Sequence, residues 1–216
     1  VLGTAHVIVR HLFSGSPARV TLNLRVGPVV VTHDPDGTPP LWVGQPAPVF
    51  GETVAKQRLA AVLRLPPEAF AEAPPPQIVS TGLPHIIVPL ASRRHLAQAS
   101  VDLDRYHELV EQTQVKNILV YCDEPHEPGQ DLSVRMFAAA LGIIEDPATG
   151  SGNGCLAAYR LHHDRGRADR VAFVTGQGYE MGRPSQLWLE AAREDGGIAV
   201  RLGGRSVDVA TGDWHV

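Results

Sequence analysis

The apolar positions Leu2, Ala5, Val9, Leu12 and Phe13 recur at helical spacing, and the run Ser14-Gly15-Ser16-Pro17 predicts the end of that helix. Residues 18–24 and 27–31 read as two strands joined by a short glycine turn, and Asp34-Pro35-Asp36-Gly37 marks another turn. The proline-punctuated stretch 41–50 fits an edge strand or a loop. Residues 52–65 suit a helix closed by Pro66-Pro67, and the Ala/Pro-rich stretch 68–76 predicts a linker. Beyond it come a broken strand (78–82 and 86–90), a helix over 102–113 and a buried strand over 117–122. A glycine-dense turn then leads into a second apolar helix, 155–162, followed by strands over 171–175, 186–191, 198–202 and a last one over 206–216.

The order helix-then-strands occurs twice, which predicts an α+β fold of two similar halves. The expected organisation is 1–52 as the remainder of a first half, 53–205 as the second half, and 206–216 as a strand returning to the first. Val1 stands where an initiator Met would, and residues 2–9 read as a helix already under way, so the expectation is that a preceding part is cut away or absent.

The 216 residues are 44% hydrophobic and 19% charged, with a formal net charge of −4. That balance fits a folded chain and argues against a nucleic-acid or membrane surface as partner. Two cysteines, Cys122 and Cys155, are too few to staple a chain of this size. With no apolar stretch long enough to span a bilayer, they suggest reduced thiols in a cytoplasmic protein.

The stretch richest in chemistry is Glu145-Asp146-Pro147-Ala148-Thr149-Gly150-Ser151-Gly152-Asn153-Gly154-Cys155. Pro147 holds Asp146 in extended backbone, and the glycines let peptide N–H groups approach a ligand closely. A helix beginning near Asn153 would point unpaired amides back into the turn, where they suit an anion such as a substrate carboxylate. Ser151 is placed to cap the helix or pass a proton, and Asp146 to act as acid or base. The same residue types also make ordinary caps and turns, so the residues alone leave both readings open. A nucleotide P-loop is disfavoured because no lysine lies near, and a dinucleotide fingerprint because Cys155 stands where its third glycine belongs.

Elsewhere Cys122, Asp123, Glu124 and His126 crowd together without zinc spacing, which predicts a solvated loop. His162-His163 at a helix end suggests capping of the C-terminal dipole. Arg183-Pro184-Ser185 fits either a hairpin or a substrate-facing arginine.

The run from Glu145 to Ser151, preceded by Arg135-Met136-Phe137, is similar to the signature of the PhzF-like phenazine-biosynthesis family. Ser80-Thr81-Gly82-Leu83-Pro84, the stretch 177–185 and Val200-Arg201-Leu202-Gly203-Gly204 match it in the same order along nearly the whole chain. The resemblance implies the diaminopimelate-epimerase fold: two pseudo-symmetric halves, each a curved sheet wrapped round a central helix, the first incomplete here, with the active site in the cleft between them. It implies an isomerase or epimerase that moves a proton on a small carboxylate without metal or organic cofactor, as a homodimer. Asp146 and Ser151 take the family's catalytic positions, and Thr149, Gly150, Gly152, Asn153 and Gly82 are the expected substrate-binding residues. The family's main acid/base glutamate and its Gly-His-Pro would fall before Val1, so this form is expected to be inactive or impaired alone. Two alternatives stand beside this reading: a non-catalytic binding protein of the same fold, and a cysteine-dependent racemase or epimerase using Cys155.

Overall fold

The computed structural model describes residues 1–13, 15, 17–24, 27–164 and 168–212. They fall into two compact units, Val1–Gly44 with Gly203–Val216, and Gln45–Leu202.

In the first unit the helical spacing of residues 2–13 produces α1 (Leu2–Val7), continued through Ile8–Leu12 by wider π-type turns, with Ala5 and Val9 buried. Two residues of the expected stop, Ser14 and Ser16, lie outside the described residues. β1 (Arg19–Leu24) alternates exposed and buried positions as a half-covered strand must. It pairs antiparallel with β2 (Gly27–His33), which pairs antiparallel with β3 (Leu41–Gln45), bringing Val31 opposite Val43. Near the C-terminus, Asp208 faces His6, Arg10 and His11, with its nearest contact 3.0 Å from His11 Nε2. The strand expected over 206–216 is not formed at 206–212, and 213–216 lie outside the described residues.

The second unit begins with β4 (Val49–Thr53), an outer strand that among the described residues pairs only with β5 (Gln77–Ser80). The strand runs on to Thr53, so the helix expected from residue 52 starts later, as α2 (Lys56–Leu63). The predicted linker is instead part of the core. Pro67–Ala69 makes a short 3₁₀ turn, Ala69 and Phe70 are buried, and Phe70 bridges Leu90. Ala69, Phe70 and Pro76 are the buried residues of this segment, which runs within the second unit rather than joining two bodies. The broken strand is a hairpin, β5 turning at Gly82 into β6 (Pro84–Pro89).

After α3 (Arg93–Gln98) and α4 (Leu103–Thr113), each with its N-cap side chain (Ser92, Asp102) accepting from a backbone amide, comes β7 (Asn117–Cys122). All six of its residues are buried because both faces are covered. Ile118, Val120 and Cys122 join the core made with α2 and α4. Leu119 and Tyr121 turn to the other face, where Tyr121 meets Tyr159 edge-on.

β8 (Leu132–Ala138) pairs with β7 and carries the short β9 (Ile143–Asp146). Next are α5 (Gly150–His163), β10 (Arg170–Gln177), β11 (Ser185–Glu194) and β12 (Gly197–Gly204), the last strand leaving the unit at residue 202. The sheet order is β12-β11-β10-β8-β7-β6-β5-β4. Helix α5 packs against β5, β6, β10 and β11, so this sheet curls round a central helix. The fold is α+β, as expected. Among the described residues no helix is long and apolar enough to cross a membrane.

Candidate active site at the N-terminus of helix α5

Helix α5 starts at Gly150, five residues ahead of the apolar run that announced it. Glycine weakens helix propensity, which hides this first turn in the sequence; packing supplies what propensity withholds. A Cβ on Gly152 would lie 2.8 Å from Leu119 Cδ1 and 3.1 Å from His85 Cδ2, and one on Gly154 would overlap the Gln45 side chain. The glycines thus let the helix sit directly on its neighbours. Ser151 is the second residue of the helix, not its cap.

Thr149 holds the N-cap position, yet its hydroxyl makes no capping bond. Its Oγ1 donates to Asp146 Oδ2 (2.6 Å) and accepts from Gln177 Nε2 (3.0 Å). Gln177 Nε2 also donates to Asp146 O (2.6 Å), and Gln177 Oε1 accepts from Thr149 N (3.2 Å) and Asn153 Nδ2 (2.8 Å). Asn153 Nδ2 also donates to Thr149 O, while Asn153 Oδ1 accepts from Thr175 Oγ1 (2.8 Å). A buried polar network, Thr175–Asn153–Gln177–Thr149–Asp146, therefore shapes the turn from behind.

Two consequences follow for the expected site residues. Asn153 is fully buried with its amide group bonded inside the protein, and Thr149 is buried with its hydroxyl in use, so both act on the turn's shape. In contrast, the amides of Gly150, Ser151 and Gly152, the Ser151 hydroxyl and Asp146 Oδ1 have no protein hydrogen-bond partner among the described residues. Asp146, Gly150 and Ser151 are half-buried. Gly82 is exposed, with φ of 113°, in the tight turn leading to β6. It belongs to the same end of this unit. Thr81 Oγ1 donates to Gln45 Oε1 (2.6 Å), and Gln45 Nε2 donates to Gly150 O (3.1 Å).

His85 lies beneath the first turn of α5, wholly buried. Its Nδ1 sits 2.9 Å from Leu83 O; a carbonyl only accepts, so this nitrogen carries the proton, and Nε2 is left as a buried acceptor without a partner. Burial drives the imidazole from 6.5 down to about 4, with the Leu83 bond opposing only in part. Cys155, also fully buried, lies 3.5 Å from Thr81 Oγ1 and 3.8 Å from His85 Nδ1; burial pushes its thiol up, away from the reactive thiolate.

The crowded residues after β7 diverge. Asp123 pairs with Arg160, Cys122 Sγ contacts Glu124 O, and His126 stacks on Tyr179 at 4.0 Å. The segment 123–129 is an exposed loop, as expected, but the His126 side chain, only 14% exposed, turns in from it. Among the described residues no group of three or more His, Cys, Asp or Glu is placed to hold a metal ion. His162 and His163 stand in the last turn of α5, as expected, where His162 stacks on Phe50 and His163 Nε2 lies 2.8 Å from Gln77 Oε1. Gln45, Gln177 and Thr175 were not among the expected site residues, although Gln177 opens a matched stretch; the available signal was a polar residue closing each of the strands β3 and β10, at Gln45 and Gln177.

Residues 1–212 match the PhzC-PhzF family, described as phenazine biosynthesis-like protein. The uncharacterized isomerase YfhB of Bacillus subtilis is 29% identical over 198 residues, 91% of this chain and 67% of that protein. A trans-2,3-dihydro-3-hydroxyanthranilate isomerase of Pseudomonas chlororaphis is 37% identical over 79 residues, 36% of this chain and 28% of its own. The crystal structure of a PhzF-family phenazine biosynthesis protein from Bacillus anthracis superposes with a TM-score of 0.85 at 19% identity, covering 94% of this chain and 70% of that one. The chain thus spans from about a quarter to two thirds of the length of these curated relatives. A polar network that frees a helix terminus, a sheet curled round that helix and a family match over almost every residue agree: the chain belongs to the PhzC-PhzF, phenazine biosynthesis-like family.

Proposed function

We propose that the N-terminus of α5 binds the carboxylate of a small substrate, and that Asp146 and Ser151 take part in an isomerase or epimerase reaction there without metal or organic cofactor. The observation that carries this reading is the N-cap threonine that does not cap. A threonine at this position ordinarily bonds the amide two or three residues on. Here Asp146 and Gln177 engage the hydroxyl instead, and the amides of Gly150, Ser151 and Gly152 stay available to a ligand.

In such a reaction a C–H bond breaks, its electron pair moves into the adjacent unsaturated system, and a proton returns to the same or a neighbouring carbon. Negative charge grows on the substrate's carboxylate or carbonyl oxygen. Amides already aimed at that oxygen stabilise it, each by about 2.7–4 kcal/mol in a dry site. Asp146, steadied at Oδ2 by Thr149, keeps Oδ1 for a substrate hydroxyl or ammonium. Ser151 hydrogen-bonds the substrate and secondarily relays a proton. The hydroxyanthranilate named for the Pseudomonas relative is a small carboxylate of this class. A cytoplasmic homodimer belongs to the same proposal.

Ser151→Ala in the whole protein should lower turnover at least tenfold, about 1.4 kcal/mol of transition-state stabilisation, with folding stability almost unchanged. Turnover and urea unfolding of the two forms test it. Unchanged turnover in the variant would refute the role.

A further inference from the structure

Asp146 closes a strand with little of its own to hold it. β9 has four residues and among the described residues pairs only with β8; Ile143 and Ile144 are 48% and 68% exposed, so hydrophobic burial does not pin it. The register also shifts between Phe137 and Ala138, loosening the ladder at its start. Downstream, Gln177 and Thr149 fix Asp146 at its carbonyl and carboxylate. Something must fix the upstream side.

Arg135 does this. Its side chain is only 8% exposed, on the face of β8 covered by α3. Nε and one terminal nitrogen donate to the two oxygens of Glu145, both at 2.8 Å, in a bidentate pair. The other terminal nitrogen donates to the carbonyls of Leu96 (2.9 Å), Ala97 (3.3 Å) and Ala99 (2.8 Å) at the end of α3. One planar group therefore ties the residue before Asp146 to the C-terminal end of α3, where Leu96 and Ala99 are buried. A second carboxylate, Glu180, stands 3.9 Å from Arg135 Nε, and its other oxygen is 3.5 Å from His126 Nε2. Glu180 lies in the turn after Gly178, which packs on Pro147, so the charges around Arg135 border the Asp146–Pro147 segment on two sides.

We propose that Arg135 is a positioning residue for Asp146, acting through Glu145 to hold the segment that enters the α5 turn. This deepens the reading of Asp146 as a site residue and rests on it for its functional meaning, but the mechanical coupling is measurable without substrate. Lysine presents a point charge and cannot bridge both Glu145 oxygens while reaching the three α3 carbonyls. Glu145→Gln keeps the shape and removes the charge.

The experiment is amide hydrogen exchange and carbon-13 NMR on the wild type, R135K and E145Q. Thr149 N–H, buried on Gln177 Oε1, is the reporter, and the Asp146 carboxyl resonance, identified by its absence in D146N, is the spectroscopic signature. Expected in both variants is exchange at Thr149 at least tenfold faster and a displaced Asp146 resonance, with Ile87 and Leu119 amides within twofold of wild type. Unchanged Thr149 exchange, an unmoved Asp146 resonance, or equal acceleration at Ile87 and Leu119 would overturn the proposal. If R135K does not fold, E145Q alone decides. Normal turnover of D146N with the exchange result intact would instead remove the functional reading and leave the coupling standing.

Discussion

Between pH 6.5 and about 4 the protein should lose about 3 kcal/mol of folding stability through one residue, His85. The folded value lies below the unfolded one, so within this window the unfolded chain binds a proton that the folded chain refuses. The contribution is complete above pH 6.5, shrinks as pH falls, and stops changing once both states are protonated below about 4. The cause is geometric. Nδ1 is committed to Leu83 O, and a proton on Nε2 would be a bare charge against Leu119 and the first turn of α5, whose amide dipoles repel a cation. Urea unfolding at intervals from pH 7 to 4 checks it, with His85→Asn as the comparison, since asparagine can still donate to Leu83. The wild type should show the extra slope and the variant should not. Parallel curves would mean that His85 rearranges or titrates normally.

The fold was legible where burial repeats with a clear period, and the site only where several residues of one motif sit side by side. β7 and α4 were readable because five consecutive apolar residues after Asn117, or an amphipathic run after Asp102, admit one structure each. The start of α5 was not. Its first turn, Gly150-Ser151-Gly152, has the composition of a loop, and the glycine at 152 lets it pack directly on Leu119 and His85. The segment 68–76 read as a linker by composition, yet it seats Ala69 and Phe70 in the core and passes the Pro75 carbonyl to Tyr159 Oη. Local sequence reports propensity, whereas these segments are decided by partners far away in the chain.

The same limit applied to the site. Asp146, Thr149 and Ser151 stood out because one run holds them together, whereas Arg135 and Gln177 lie in separate matched stretches whose contact with that run no local pattern reveals. Gln177 lies 31 residues from Asp146, and Arg135 reaches Leu96 across 39. Asn153, expected to touch substrate, shows how a polar residue in a motif can serve it from inside. Its amide group is saturated by Thr149, Gln177 and Thr175, and what it supplies is the shape that leaves neighbouring amides free.

Gly178→Ala should be the most damaging single methyl in the second unit, removing about 3 kcal/mol of stability and, with it, the geometry of the Asp146 turn. Gly178 has φ of 85°, a conformation costing a residue with a Cβ about 1–2 kcal/mol. Space is the larger problem. The added carbon would lie 2.3 Å from Arg183 O and 2.9 Å from Pro147 O, both backbone atoms that no rotamer change can move. Arg183 O is fixed because Arg183 N donates back to Gly178 O at 2.9 Å, and Pro147 is fixed between Asp146 and the Thr149 cap. Relief therefore requires moving the 179–183 turn or the Asp146–Pro147 segment, adding about 1–3 kcal/mol by the usual cost of overpacking. Gly182→Ala is the control: φ is 67° and no atom lies within 4 Å of the added carbon, so only the conformational part applies. Urea unfolding should place Gly178→Ala at least 1 kcal/mol below Gly182→Ala, and exchange at the Thr149 amide should quicken in the first variant alone. Equal losses in the two would show that the turn over Pro147 yields, and that its packing does not hold Asp146 in place.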